Sequence, residues 1–430
     1  MQSSNKRIAR NTLMLYIRTF VMMPVSLYTS RIILEVLGEN DFGVYNVVGG
    51  FIALLSFINS AMTKATQRFL NVELGKGNHD RVSRVYSMSL LIHFAIAVFI
   101  GFVLETVGLY FFETKLNIPP ETQDAARVVY HISVVTACLH FIRIPDESSI
   151  IAYERMSFFA YVSIIEVMAK LGTVFLLFWA EDNRLVLYAV ALMTVGILLN
   201  IIYAIYCKRN FTTCRFRFYF DRKLLKEMLF FSSWSLFGGI AHVASIQGIS
   251  ILLNIFFTVA VNAAMGVASQ VFSAVNTLVT NFQKAVQPQI VQSYFSGDKS
   301  RFLELVFRSS KFSYFLLFFV AYQLILICRP VVELWLVCVP QYTVQFIQLY
   351  LIFLLIDALS GSLWVSSETI GNIAKYQFTV SSMIIMNIPI IYIVQVRLQS
   401  RLCGDCQNCH QFHYSLLQNI LSQTQSEFPG

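Results

Sequence analysis

Eleven runs of roughly twenty apolar residues recur along this chain, near 11–33, 44–63, 84–112, 126–144, 156–179, 185–206, 231–256, 260–282, 304–328, 342–366 and 376–395. About twenty apolar residues is the length of helix that crosses the hydrocarbon layer of a bilayer. Inside that layer water satisfies no backbone N–H or C=O, so a spanning segment must bond to itself as a helix or close into a barrel. Uninterrupted apolar runs, without the alternation of a lipid-facing strand, choose the helix. The composition agrees: 56% of residues are hydrophobic, 13% are charged and the mean hydropathy is +0.62. Soluble domains carry about a quarter charged residues. The sequence therefore predicts an all-α polytopic membrane protein. Its connections are short, the outer segment 113–125 being about a dozen residues, which argues against an enzyme with its site in an extramembrane lobe.

The net charge of +8 is a matter of topology, not of nucleic-acid binding. Lys6, Arg7 and Arg10 precede the first run. Lys64, Arg68, Lys76, Arg81 and Arg84 follow the second. Seven Lys and Arg residues lie between 208 and 226, and Lys284, Lys299, Arg301, Arg308 and Lys311 follow the eighth. The intervening connections 34–43 and 257–260 contain neither residue, and 180–184 contains only Arg184. Positive charge is retained on the cytoplasmic side, so a cytoplasmic N-terminus is expected. The basic opening "MQSSNKRIAR" leads into a retained span, since the apolar stretch is longer than a signal peptide's and no small-residue cleavage site follows.

The chain also repeats itself. "FGVYNVV" resembles "MGVASQV", "KATQ" at 64–67 resembles "KAVQ" at 284–287, and "LGKGN" at 74–78 resembles "SGDKS" at 296–300, at offsets of 220 to 223 residues. Repeats in the same orientation predict two parallel bundles about an axis along the membrane normal, with a cavity between them. The boundaries expected are a six-helix bundle over 1–207, a basic linker or amphipathic helix over 208–230, a five-helix bundle over 231–395 and a polar tail over 396–430. The repeat calls for a twelfth helix near 407–428; "QNCHQFHYSLLQNILSQTQSEF" is too polar to span, so that helix is missing or replaced. Cys403, Cys406, Cys409 and His410 have a spacing seen in metal sites, but the set is incomplete and no metal or other cofactor is expected. The other five cysteines are scattered singly.

"NTLMLYIRTF", "SLYTSRIILEVLGENDFGVYNVVGG" and "ATQRFLNVELGKG" resemble the polysaccharide transporter branch of the MOP flippases, the Wzx-like relatives of lipid II flippases and MATE exporters. The resemblance extends over residues 5 to 394. It implies a MATE-like two-bundle fold, here with six plus five helices, in the bacterial inner membrane. It implies alternating access, with a polyprenyl-diphosphate-linked oligosaccharide as substrate and polysaccharide polymerase or assembly proteins as partners. A MATE-like cation antiporter, a membrane-embedded glycan polymerase and an inactive copy of the flippase are the other readings.

The candidate site residues are charges inside the runs. Arg18 has no acidic residue within a turn or two, and an arginine at a helix centre costs roughly 2.5–3.5 kcal/mol on insertion scales. A wet anion site would offset that cost, because a guanidinium fork matches phosphate oxygens. Arg31 lies thirteen residues on, about 220° around the helix, with Glu35 one turn away. Lys64, Arg68 and Lys284 complete the cationic set. Pro24 is expected to kink the first helix, and Gly49 and Gly50 permit bending or close packing. Glu105 and Asp357 are candidates for ion coupling. No Walker loop, H-E-x-x-H or G-x-S-x-G occurs, so no catalytic chemistry is expected.

Overall fold

The computed structural model describes residues 2–53, 56–115, 123–179, 183–256, 259–336, 339–340, 342–370 and 373–402. Cys403, Cys406, Cys409, His410 and the segment 407–428 lie outside the described residues. Among those described there are helices and no strand. The helices are α1 (Gln2–Ala53), α2 (Ser56–Gly75), α3 (His79–Val103), α4 (Leu109–Lys115), α5 (Gln123–Ala152), α6 (Met156–Leu176) and α7 (Arg184–Asn210). They continue with α8 (Arg222–Phe256), α9 (Val259–Phe295), α10 (Lys299–Leu326), α11 (Cys328–Trp335), α12 (Thr343–Ile370) and α13 (Ile373–Leu402).

Among the described residues nine helices are long and apolar enough to cross a membrane. They correspond to nine of the eleven runs; those near 44–63 and 260–282 are not among them. Those two runs are repeat mates, and both take in residues whose side chains lie outside the described set. Lys64, Thr66, Gln67, Arg68 and Asn71 stand on α2, and Asn281, Gln283, Lys284, Gln289 and Gln292 on α9.

Packing sorts the helices into two groups. In the first, α5 packs on α7, α3 and α2, and α1 packs on α6. In the second, α9 packs on α12 and α10, and α8 packs on α13. The groups meet where α2 lies on α8 and α9, and where α1 lies on α9. Two apolar clusters serve the first group, one around Val129, Tyr130 and Leu185 and one around Leu15, Leu70 and Ile150. A third, around Leu317, Leu351 and Leu354, serves the second. Ala285 of α9 is buried in the Leu15 cluster, so the groups share core at that level.

Several helices are longer than the apolar runs that announce them. The helix carrying Lys64 and Arg68 runs on to Gly75, so both cations stand within α2 and not beyond its end. Lys284 is likewise inside α9, which ends at Phe295. Both helices end in the same turn. Gly77 (φ +70) and Gly297 (φ +86) adopt the left-handed conformation that favours glycine. Asn78 and Asp298 then cap α3 and α10 by accepting from the Arg81 and Arg301 amides. These pairs are all 220 residues apart, the offset of Lys64 and Lys284, so the structural mate of Gly297 is Gly77 and not Gly75.

Pro24 and Pro145 lie inside helices. α1 continues through Pro24, and its non-helical residue is Gly38 (φ 77, ψ 174), where the chain turns into the second helix. α5 continues through Pro145 to Ala152, beyond the run drawn to 144. One missing N–H bond is tolerated where neighbouring helices hold the segment on both sides. Between Asn210 and Arg222 the chain turns at Thr212 and Thr213 and then runs without regular structure, and the remainder of the basic segment is the first part of α8. Cys138, Cys207, Cys214 and Cys328 are free thiols.

Candidate functional site

The seam between the two groups is built from two helical stripes. On α2, Lys64, Arg68, Asn71 and Gly75 recur at helical spacing and face the second group. The Lys64 ammonium lies 4.4 Å from the centroid of the Trp364 ring. Arg68 donates from Nε to the Glu368 carbonyl at 3.1 Å, with its guanidinium 4.7 Å from the Phe231 ring. Asn71 Oδ1 accepts from Gln292 Nε2 at 3.1 Å. A Cβ on Gly75 would sit 2.7 Å from the Gln292 carbonyl oxygen. On α9, Asn281, Ala285, Gln289 and Gln292 form the answering stripe. Asn281 donates to Thr19 Oγ1 at 2.7 Å, Gln289 to Glu154 Oε2 at 3.0 Å and Gln292 to the Ala152 carbonyl at 2.9 Å. Tyr16 adds a bond to the Leu278 carbonyl at 3.0 Å. At the end that carries the basic connections, the two groups are thus closed against each other.

Above this closed end, two cations from opposite groups converge on one ring. The Arg18 guanidinium of α1 lies 4.8 Å from the centroid of Phe159 on α6, and the Lys284 ammonium of α9 lies 4.5 Å from the same centroid. Arg18 Nε is buried with no hydrogen-bond partner among the described residues. Among the described residues neither cation forms an ion pair; the carboxylate of Glu147 on α5 is the charge that acts on both. Lys64 and Lys284 stand eleven residues before the ends of their helices, Gly75 and Phe295, so each lies about 16 Å in at helical rise.

The surroundings are charged too. Arg143, buried on α5, lies 5.4 Å from the Tyr203 ring. His140 shares a hydrogen bond of 2.7 Å with Asn59, and Lys170 donates to Glu166 at 2.8 Å. Counted by residue type, Arg18, Arg143, Lys170 and Lys284 outnumber Glu147 and Glu166 by two. That surplus suits an anion and repels a cation.

The structure brings Arg18 and Lys284 together, and Lys64 with Arg68, but it does not gather all the sequence candidates. Arg31 is exposed on α1 beyond this site, and among the described residues it has no ion pair with Glu35. Glu105 is in a π-helical turn (Leu104–Gly108) at the far end of α3 and meets His131 at 2.7 Å. Asp357 is exposed on the α12 stripe that continues through Gly361, Trp364 and Glu368, the last two facing Lys64 and Arg68. Gly49 and Gly50 are helical, and their surroundings lie outside the described residues. Among the described residues no cluster of His, Cys, Asp and Glu offers a metal site.

Phe159, Glu147, Trp364 and Glu368 are not singled out by the sequence. Glu147 lies beyond Pro145, where the apolar run stops. The 281/285/289/292 spacing on α9 is visible in the sequence, but only to a reader who extends that helix beyond 282.

A family model described as polysaccharide biosynthesis protein matches residues 8–294, more than half of the chain. The chain belongs to that family. No curated protein matches it. Among solved structures it is similar to an outward-facing multidrug resistance MATE family transporter of the MOP superfamily, at 13% identity and a TM-score of 0.77, covering 91% of this chain and 88% of that one. It is also similar to a MOP superfamily transporter from Pyrococcus furiosus described by the reverse polarity of its binding pocket, at 13% identity and a TM-score of 0.76 over 91% and 88% of the two chains. A MATE structure in a bent conformation matches at 14% identity and a TM-score of 0.75, over 91% and 88%. At such identities these likenesses establish the fold. This member of the polysaccharide biosynthesis protein family is a multi-pass membrane protein with the MATE-like fold of membrane transporters.

Proposed function

We propose that this protein is a flippase. It carries a polyprenyl-diphosphate-linked oligosaccharide from the cytoplasmic to the outer leaflet of the bacterial inner membrane, with its N-terminus in the cytoplasm. The observation that supports this reading is the convergence of Arg18 and Lys284, one from each helix group, on Phe159. A diphosphate arriving between the groups would find two cations that no carboxylate pairs among the described residues. Its oxygens would replace the water lost on entering the cleft. The aromatic ring holds both cations in place while the site is empty.

Because the cations belong to opposite groups, an anion bound to both would draw the groups together around it. The contacts at the basic end would have to part for loading and re-form afterwards, which is how alternating access would use the seam. Lys64 and Arg68, held by Trp364 and Glu368 in the closed state, would become available to a phosphate when the end opens. The surplus of positive charge speaks against a MATE-like exporter of organic cations.

The test is complementation of a strain whose own copy is deleted, with surface-exposed lipid-linked glycan read by a membrane-impermeant probe on sealed right-side-out vesicles. The wild-type chain is expected to restore outward-facing glycan. Arg18→Ala and Lys284→Ala should abolish it at normal membrane levels, and Arg18→Lys should retain part. Normal transport by both alanine variants would overturn the anion site. A wild-type chain that fails to restore glycan lost on deletion would mark it as an inactive copy.

A further inference from the structure

The chain between α7 and α8 is neither loose nor covered. Its first residues are clamped: Phe211 stacks on Tyr153 at 4.2 Å, Thr213 Oγ1 lies 2.6 Å from the Tyr153 hydroxyl, and Cys214 is buried. Its middle is pinned to α3. The Arg217 amide donates to Ser87 Oγ at 3.1 Å, and Arg84 donates to the Tyr219 hydroxyl at 3.1 Å with its guanidinium 4.7 Å from that ring. Its end caps α8, where Asp221 Oδ1 accepts from the Lys223 and Leu224 amides at 2.8 and 3.3 Å.

Beside these pins Phe216, Phe218 and Phe220 are 54%, 81% and 57% exposed. Arg215, Arg217, Arg222, Lys223 and Lys226 are exposed around them, against Asp221 and Glu227. The strip therefore holds three phenylalanines outward in fixed positions within a belt of cations. It joins Asn210 of α7 to Arg222 of α8, the ends of two helices long and apolar enough to cross a membrane.

We propose that residues 215–226 are a binding site for anionic phospholipid headgroups, with Phe216, Phe218 and Phe220 seated in the acyl boundary of the same leaflet. Cations near an anionic leaflet are attracted electrostatically, and aromatic side chains bury their rings at that depth. The strip would then tie the segment joining the two helix groups to the membrane surface. This inference needs only that the chain is embedded in a membrane, and it stands or falls independently of what the protein carries.

The full chain, taken from vesicles of equal phosphatidylglycerol and phosphatidylethanolamine, would be examined for retained lipid by native mass spectrometry. The wild type should retain phosphatidylglycerol in preference. Replacing Arg215, Arg217 and Lys223 by Gln should lower that preference at least about threefold. Replacing Lys299, Arg308 and Lys311 by Gln, the same charge loss elsewhere on the basic end, should leave it intact. An unchanged preference in the first triple variant, or an equal fall in both, would overturn the headgroup site. In intact membranes a Phe218→Cys variant should resist aqueous maleimide while Arg217→Cys reacts, each read above the wild-type background. Equal labelling of the two would overturn the seating of the phenylalanines.

Discussion

Replacing Gly75 by alanine tests whether the seam between α2 and α9 is the closed end of a pathway. A Cβ there would lie 2.7 Å from the Gln292 carbonyl oxygen and 2.9 Å from its Cα, and 3.1 Å from the Phe295 Cβ, where ordinary contact begins at 3.4 Å. The first two are backbone atoms of α9, which cannot rotate aside, so the methyl must push the helices apart. Overpacking of this kind costs about 1–3 kcal/mol. Charged only to the closed state, that is roughly a 5- to 150-fold shift away from closure. Spin labels at positions 76 and 299, on opposite groups at this end, would report it as a longer distance distribution. Gly77→Ala is the control. Nothing lies within 4 Å of a Cβ there, but φ is +70, so about 1 kcal/mol of strain should lower stability and leave the distance alone. If Gly75→Ala keeps the wild-type distances, the close approach of α2 and α9 is not what closes this end.

Gln292→Ala removes both the bond to Asn71 and the bond to the Ala152 carbonyl, and at roughly 0.5–1.5 kcal/mol each it should lengthen the same distances without a clash. Asp298→Ala should lower thermal stability by about 1 kcal/mol through loss of the α10 cap, as should Asn78→Ala at α3, both measured by the melting of the purified chain; a larger fall in one alone would break the equivalence of the two turns. Glu147→Gln removes the carboxylate that acts on Arg18 and Lys284 and should tighten binding of inorganic pyrophosphate by several-fold in a calorimetric titration; weaker binding would assign Glu147 to holding the cations in place.

The sequence is informative about one-dimensional quantities. The length of an apolar run reports a membrane crossing, because the bilayer sets that length for every segment alike. Lys64 and Lys284 could be paired by offset, because duplicated helices keep their register. Helix ends were less legible. α5 runs on through Pro145 to Ala152, past the apolar run drawn to 144, since packing outweighs one lost hydrogen bond. Lys64, Arg68 and Lys284 end their apolar runs but not their helices, because those helices continue with polar faces that the partner group covers.

By itself the sequence determined that the chain crosses a membrane as helices, that its basic connections share one side, and that Arg18 needs an explanation, since the cost of a charge in hydrocarbon is a property of the residue. The tertiary structure decided that Arg18 meets Lys284 across Phe159. Those residues are far apart in sequence and come from three helices, and their meeting depends on how the two groups pack, which no local pattern encodes.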